Sequence, residues 1–138
     1  MDQLEVLIIE HEGLRLRPYR DTVGKLTIGV GRNLDDVGIS RYEALFLLEN
    51  DLTNCKAQLA KYSWYLNLDT VRQGVLIELT FNIGISRVLL FKNMIESLKT
   101  SDYLNAAKHL LDSLWAKQVG PNRSNNMAAR LATGQYAT

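Results

Sequence analysis

Three residues near the N-terminus have side chains suited to breaking a glycosidic bond. Glu12 ends an apolar run and stands immediately before Gly13. Asp21 and Thr22 lie in a turn-rich stretch, and Thr27 follows on a strand-like segment. A helix end joined to a folded-back hairpin can bring Glu12, Asp21 and Thr27 to one cleft. Two carboxylates facing one cleft are the minimum equipment for acid-catalysed glycoside hydrolysis. One stays protonated and gives its proton to the leaving oxygen. The other stays ionised to orient water or to stabilise positive charge. Proximity alone means little, because the chain carries 15 acidic residues. Taken singly, Glu12 reads as a surface acid at a helix end.

The elements that must position these residues follow from local patterns. The N-terminal helix carries Glu10 and Glu12 and stops at Gly13. Residues 13–39 hold five of the nine glycines, interleaved with strand-favouring Tyr19, Val23, Leu26, Thr27, Ile28 and Val30. This predicts a small twisted hairpin or short three-stranded sheet over about 14–35. Ser40 and Glu43 form an S-x-x-E capping box. Behind it, Leu45, Leu48, Leu52, Cys55 and Leu59 recur as one apolar helical face. Asp69 can cap the next helix, whose apolar residues (Val71 to Ile83) run nearly all round it and place it in the middle of the core. Shorter helices are expected near 90–99 and 102–117. Pro121 then interrupts, Asn122 caps a final helix, and Gly134 stops it. The expected organisation is one domain over 1–138, with a helical part over about 40–138 plus the N-terminal helix.

Composition narrows the class. The chain has 138 residues, 46% hydrophobic and 22% charged, which suits one ordered domain with a sizeable core. A net charge of +1 gives no argument for nucleic acid or a membrane surface as partner. Cys55 is the single cysteine, so no internal disulfide exists and folding in a reducing cytoplasm is expected. The acidic start MDQLEVLIIEHEG lacks the basic-then-apolar pattern of a secretory signal. No apolar stretch approaches the roughly 20 residues of a transmembrane helix.

The order of residues carries more than their proximity. Glu12, Gly13, Arg15, Tyr19, Asp21, Thr22, Gly24, Thr27, Ile28, Gly29 and Gly31 spell E-G-x-R-x-x-x-Y-x-D-T-x-G-x-x-T-I-G-x-G. This closely resembles the catalytic motif of phage-type lysozymes, glycoside hydrolase family 24, the family of the T4 and P22 endolysins. Phe81-Asn82-Ile83-Gly84 resembles the family's F-N-x-G segment. Trp115, Pro121-Asn122-Arg123 and Leu131-Ala132-Thr133-Gly134 resemble its C-terminal region.

The resemblance implies an α+β, mainly α, lysozyme-like fold: a small β-hairpin lobe and a larger helical lobe with a cleft between. It implies hydrolysis of the β-1,4 bond between N-acetylmuramic acid and N-acetylglucosamine of peptidoglycan, causing lysis. Glu12 matches the general acid, Asp21 the second carboxylate, and Thr27 the hydroxyl that helps hold the attacking water, with an inverting outcome. Phe81, Asn82 and Arg32 are expected to contact substrate. No cofactor or metal is implied. The protein is expected to be a monomer that accumulates in the host cytoplasm and reaches the cell wall in the periplasm after release by a holin. Two positions depart from the T4 pattern. Arg32 follows Gly31 where the T4 enzyme has His, and His11 precedes Glu12 where it has an acid paired with the Arg matched by Arg123. Arg123 therefore needs another partner, and Glu12 is one candidate.

Other residues read more blandly. Cys55 is expected to be a buried thiol. His11 and His109 lack ligands at metal spacing, and His109 lies either on the surface or beside the cleft. Trp64, with Tyr62 and Tyr65, reads as core-edge packing before sugar stacking, and Trp115 as core. Arg15, Arg17, Arg20 and Lys25 form a basic group that either solvates a strand edge or attracts an anionic wall. Two rival functions remain. A lytic transglycosylase would make the Asp21–Thr27 pair redundant, because no water attacks. A wall-binding module without catalysis would not need Glu12, Asp21 and Thr27 together.

Overall fold

A computed structural model describes residues 1–136. Contacts divide the chain into two compact units, Met1–Leu47 and the residues from Leu48 onward. The fold is mainly helical α+β with an N-terminal three-stranded antiparallel sheet, as the resemblance implies.

In the first unit, α1 spans Gln3–Glu12. Asp2 starts it by accepting from the Glu5 N–H at 2.8 Å. Gly13 stops it at φ 78°, donating its N–H to the Ile9 carbonyl at 2.7 Å. The sheet has the order β1 (Arg15–Arg20), β2 (Leu26–Gly29), β3 (Arg32–Asn33). Tyr19 pairs with Thr27, and Thr27 in turn with Asn33. The β1–β2 register is irregular between Arg15 and Tyr19, where Pro18 has no N–H for the ladder. α2 (Arg41–Leu59) opens with the expected capping box. The Ser40 N–H donates to Glu43 Oε1 at 2.9 Å, and the Glu43 N–H donates to Ser40 Oγ at 3.1 Å.

The second unit continues α2 and adds α3 (Ser63–Leu66), α4 (Thr70–Ile83), α5 (Ile85–Val88), α6 (Lys92–Lys99), α7 (Tyr103–Leu111), α8 (Leu114–Val119) and α9 (Pro121–Thr133). Val75, Leu76 and Leu79 of α4 are fully buried among Met94, Leu110, Met127 and Leu131, so α4 forms the centre of this core. Each such side chain contributes roughly 1.5–3 kcal/mol of burial energy. Arg72 locks α4 to the end of α9. Its guanidinium donates to the carbonyls of Leu131 at 2.7 Å and Ala132 at 2.9 Å, pairs with Asp69 at 2.9 Å, and lies 3.4 Å over the Tyr103 ring. Gly134 ends α9 in the left-handed conformation, as expected. A Cβ there would stand 2.8 Å from Arg72 Nη1, so glycine also leaves room for this lock.

Three sequence expectations are corrected. The helix over 102–117 is two helices, because Ser113 breaks the run. Its hydroxyl donates to the Leu110 carbonyl at 2.6 Å and accepts from the Ala116 N–H at 3.2 Å, closing α7 and capping α8. Pro121 begins α9 instead of interrupting, since the first helical position needs no N–H partner. Gly120 is the N-cap, and Asn122 lies inside the helix. The apolar face of α2 is buried at Cys55 and Leu59, whereas Leu45 and Leu48 are exposed. The last two positions of the expected helical range, 137–138, lie outside the described residues. Among the described residues, no helix is long and apolar enough to cross a membrane.

Candidate active site

Glu12, Asp21 and Thr27 all belong to the first unit. Glu12 is the last residue of α1, and its exposed side chain lies against Gly31 in the turn between β2 and β3. Thr27 sits mid-sheet on β2 and is only 3% exposed. Asp21 follows β1 and organises the tight turn to β2. Its Oδ1 accepts from the Val23 N–H at 3.0 Å and the Lys25 N–H at 2.8 Å.

A single carbonyl ties Asp21 to Thr27. The Lys25 oxygen accepts from the Asp21 N–H at 2.9 Å and from the Thr27 hydroxyl at 2.9 Å. The Thr27 proton is thereby engaged, which leaves its oxygen with lone pairs to accept. Asp21 Oδ2 makes no hydrogen bond among the described residues, so this turn-capping carboxylate keeps one oxygen as an acceptor.

Acids balance much of the basic group on the sheet. Lys25 pairs with Asp36 at 3.1 Å, and Arg20 lies 3.8 Å from Asp35. The hydrogen bond from Lys25, then that from Asn33, holds the Asp36 carboxyl below its ordinary pKa. Asp35 also caps the start of β2, accepting from the Leu26 N–H at 2.7 Å. Arg15 stacks over the Tyr19 ring at 4.2 Å. Arg32 donates to Glu43 at 2.8 Å and to the Gly38 carbonyl at 3.1 Å. That bond from Arg32, and then the Ser40 N–H, push the Glu43 pKa down to about 2.

In the second unit, Phe81 near the end of α4 is exposed, and Asn82 accepts a hydrogen bond from the Trp115 indole at 2.8 Å. Arg123 donates to Glu78 Oε2 at 3.2 Å, while Arg130 donates to Glu78 Oε1 at 2.5 Å. Glu78 is thus the partner that the missing acid at position 11 left to be found. Arg123 and Arg130 stand two helical turns apart on one face of α9, and that spacing was the available signal for a shared carboxylate.

The remaining residues have structural places. Trp64, Tyr65 and Trp115 are buried, and the Tyr62 and Trp64 rings lie 5.8 Å apart. His109 is exposed at the edge of a hollow of about 270 Å³ that Lys92, Met94 and Asp112 also line. Cys55 is buried, and burial, followed by the Asp51 charge, raises its thiol pKa. Among the described residues, no three His, Cys, Asp or Glu side chains cluster to hold a metal ion.

Comparison with known proteins agrees with this architecture. The phage lysozyme family matches residues 9–132. Probable T4-type lysozyme 1 of Dictyostelium discoideum is 29% identical, with 89% of each chain covered. An endolysin of Acyrthosiphon pisum secondary endosymbiont phage 1 is also 29% identical, over 81% of this chain and 76% of that protein. The pre-baseplate central spike protein Gp5 of Enterobacteria phage T4 is 28% identical over 89% of this chain but only 26% of its own length. With the match running from the last turn of α1 almost to the end of α9, the chain belongs to the phage lysozyme family and is a lysozyme-type glycoside hydrolase of peptidoglycan.

Proposed function

We propose that the chain cleaves the β-1,4 bond between N-acetylmuramic acid and N-acetylglucosamine in one inverting displacement. Glu12 protonates the glycosidic oxygen as the bond from that oxygen to the sugar carbon breaks. A water molecule donates one hydrogen to Thr27 Oγ1 and one to Asp21 Oδ2, which aims its lone pair at the same carbon. Asp21 takes the proton that the water loses. The observation that carries this reading is the shared Lys25 carbonyl. It spends the Thr27 proton internally, so both Thr27 and Asp21 act as acceptors, and a water with two acceptors has its nucleophilic lone pair free.

Phe81 and Asn82 are the proposed substrate contacts of the second unit, through the exposed ring and the amide nitrogen. Arg32 is the proposed contact in the first, with its Glu43 pairing fixing the guanidinium. The whole chain acts as one monomeric functional domain. It is made in the host cytoplasm and reaches the periplasmic wall through a holin, as expected from the resemblance to endolysins.

The test is Glu12→Gln, which keeps the size of the side chain but has no acidic proton. Lysis of outer-membrane-stripped Gram-negative cells should fall by about 10²–10⁴ with the fold intact, the usual worth of general acid catalysis. A folded variant that keeps more than about a tenth of the activity overturns the assignment, since a tenfold loss lies below that range.

A further inference from the structure

We propose that Gly31 is a positioning residue: it leaves the space in which the Glu12 carboxyl rests, and any side chain there turns the acid away. The inference rests on Glu12 being the acid. A Cβ built at Gly31 would stand 2.7 Å from Glu12 Oε2, 3.1 Å from its Cδ and 3.3 Å from its Cγ. Real Cβ atoms do not approach that closely, so one of the two must move. The Gly31 backbone is held in the β2–β3 turn, whereas Glu12 ends a flexible, exposed side chain. The carboxyl moves. A displacement of about 1 Å at a reacting group can cost about 100-fold in rate.

The fold supplies its own control. Gly29, the last residue of β2, and Gly31, in the turn that follows, flank Val30 with φ of 68° and 67°. Both sit in the left-handed region that disfavours side chains. A Cβ at Gly29 meets nothing within 4 Å, while a Cβ at Gly31 meets the acid. Substitution at either site therefore puts a side chain on a left-handed backbone, and only the one at Gly31 displaces Glu12.

The experiment compares Gly31→Ala with Gly29→Ala, and Gly31→Asn with Gly29→Asn. Asn tolerates the left-handed conformation, so the second pair stays folded if the alanines do not. Each is measured for Tm and for kcat and KM on purified peptidoglycan, with Glu12→Gln alongside. The two alanine variants should lose similar Tm. The position 31 variants should lose about 100-fold or more in kcat with KM within about threefold, as a misplaced catalytic group predicts. The position 29 variants should keep kcat within about threefold. Equal kcat losses at 29 and 31, or full activity in the folded Gly31→Asn variant, would overturn the proposal while an inactive Glu12→Gln left the acid in place. An active Glu12→Gln would overturn both.

Discussion

The Trp115 indole N–H donates to the side-chain oxygen of Asn82 at 2.8 Å, joining α8 to the end of α4 across 33 residues of sequence. Trp115 is only 5% exposed. Without its acceptor the indole N–H is left unpaired. Asn82→Leu should therefore lower unfolding stability by about 1–3 kcal/mol, the cost of an orphaned buried donor. Asn82→Asp keeps an oxygen in place and should cost less. Urea unfolding followed by tryptophan fluorescence orders the two, and the reverse order would mean the bond does not support the packing.

Asp21 carries two separable duties. Its Oδ1 caps the hairpin turn through two backbone N–H groups, and its charge is proposed to serve catalysis. Asp21→Asn keeps an acceptor oxygen and should melt near wild type while losing most activity. Asp21→Ala loses both caps and should also lose about 1–3 kcal/mol of stability. Thermal melts beside turbidity assays make the comparison. An inactive Asp21→Asn that melts as early as the alanine variant would assign the residue to structure alone.

The anomer of the first product tests the water-holding arrangement. Attack from the face opposite the leaving group converts the β-linked substrate to an α-anomer. NMR of fresh digests reads the anomer before it equilibrates. A β-anomer would refute the role given to Asp21 and Thr27, and a 1,6-anhydro sugar would mean transglycosylation.

The Glu43–Arg32 pair predicts acid sensitivity in the first unit. The Glu43 pKa is depressed from 4.5 to about 2, chiefly by the Arg32 hydrogen bond. A depressed carboxyl stabilises the fold above its ordinary pKa, and that contribution fades as pH falls through its folded value. Both side chains are more than a third exposed, so the effect is small and weakened by salt. Between about pH 4.5 and 2, Tm should fall less steeply in Glu43→Gln than in wild type at low salt. Identical slopes would show that the pair carries no net stability.

Cys55 should react with a thiol reagent slowly in the native state and rapidly in denaturant. It is buried on the inner end of α2, and burial raises its thiol pKa, lowering the reactive thiolate fraction. Equal rates in the two conditions would show that this end of α2 opens freely.

Much of the fold was legible because its signals are local. Gly13 stops α1 directly after Glu12, Ser40 and Glu43 cap α2 reciprocally, and Asp69 caps α4, as their spacing predicts. Each depends on residues within one turn of one another. The misread boundaries at Ser113 and Pro121 are local too, but two patterns competed there. An apolar period ran through Ser113, whose hydroxyl can also cap, and a proline serves equally as an interruption or as the first residue of a helix.

The sequence by itself therefore determined the family, the order of the elements and the motif that carries Glu12, Asp21 and Thr27. Only the tertiary structure decided the pairings: Arg72 with the carbonyls of Leu131 and Ala132, Glu78 with Arg123 and Arg130, Asn82 with Trp115, and the carboxyl of Glu12 with the bare backbone of Gly31. Helical and strand periods report which face a residue occupies, because they arise from bonds a few residues apart. They carry no information about which distant group meets that face, since those contacts form only when packing brings separate elements together.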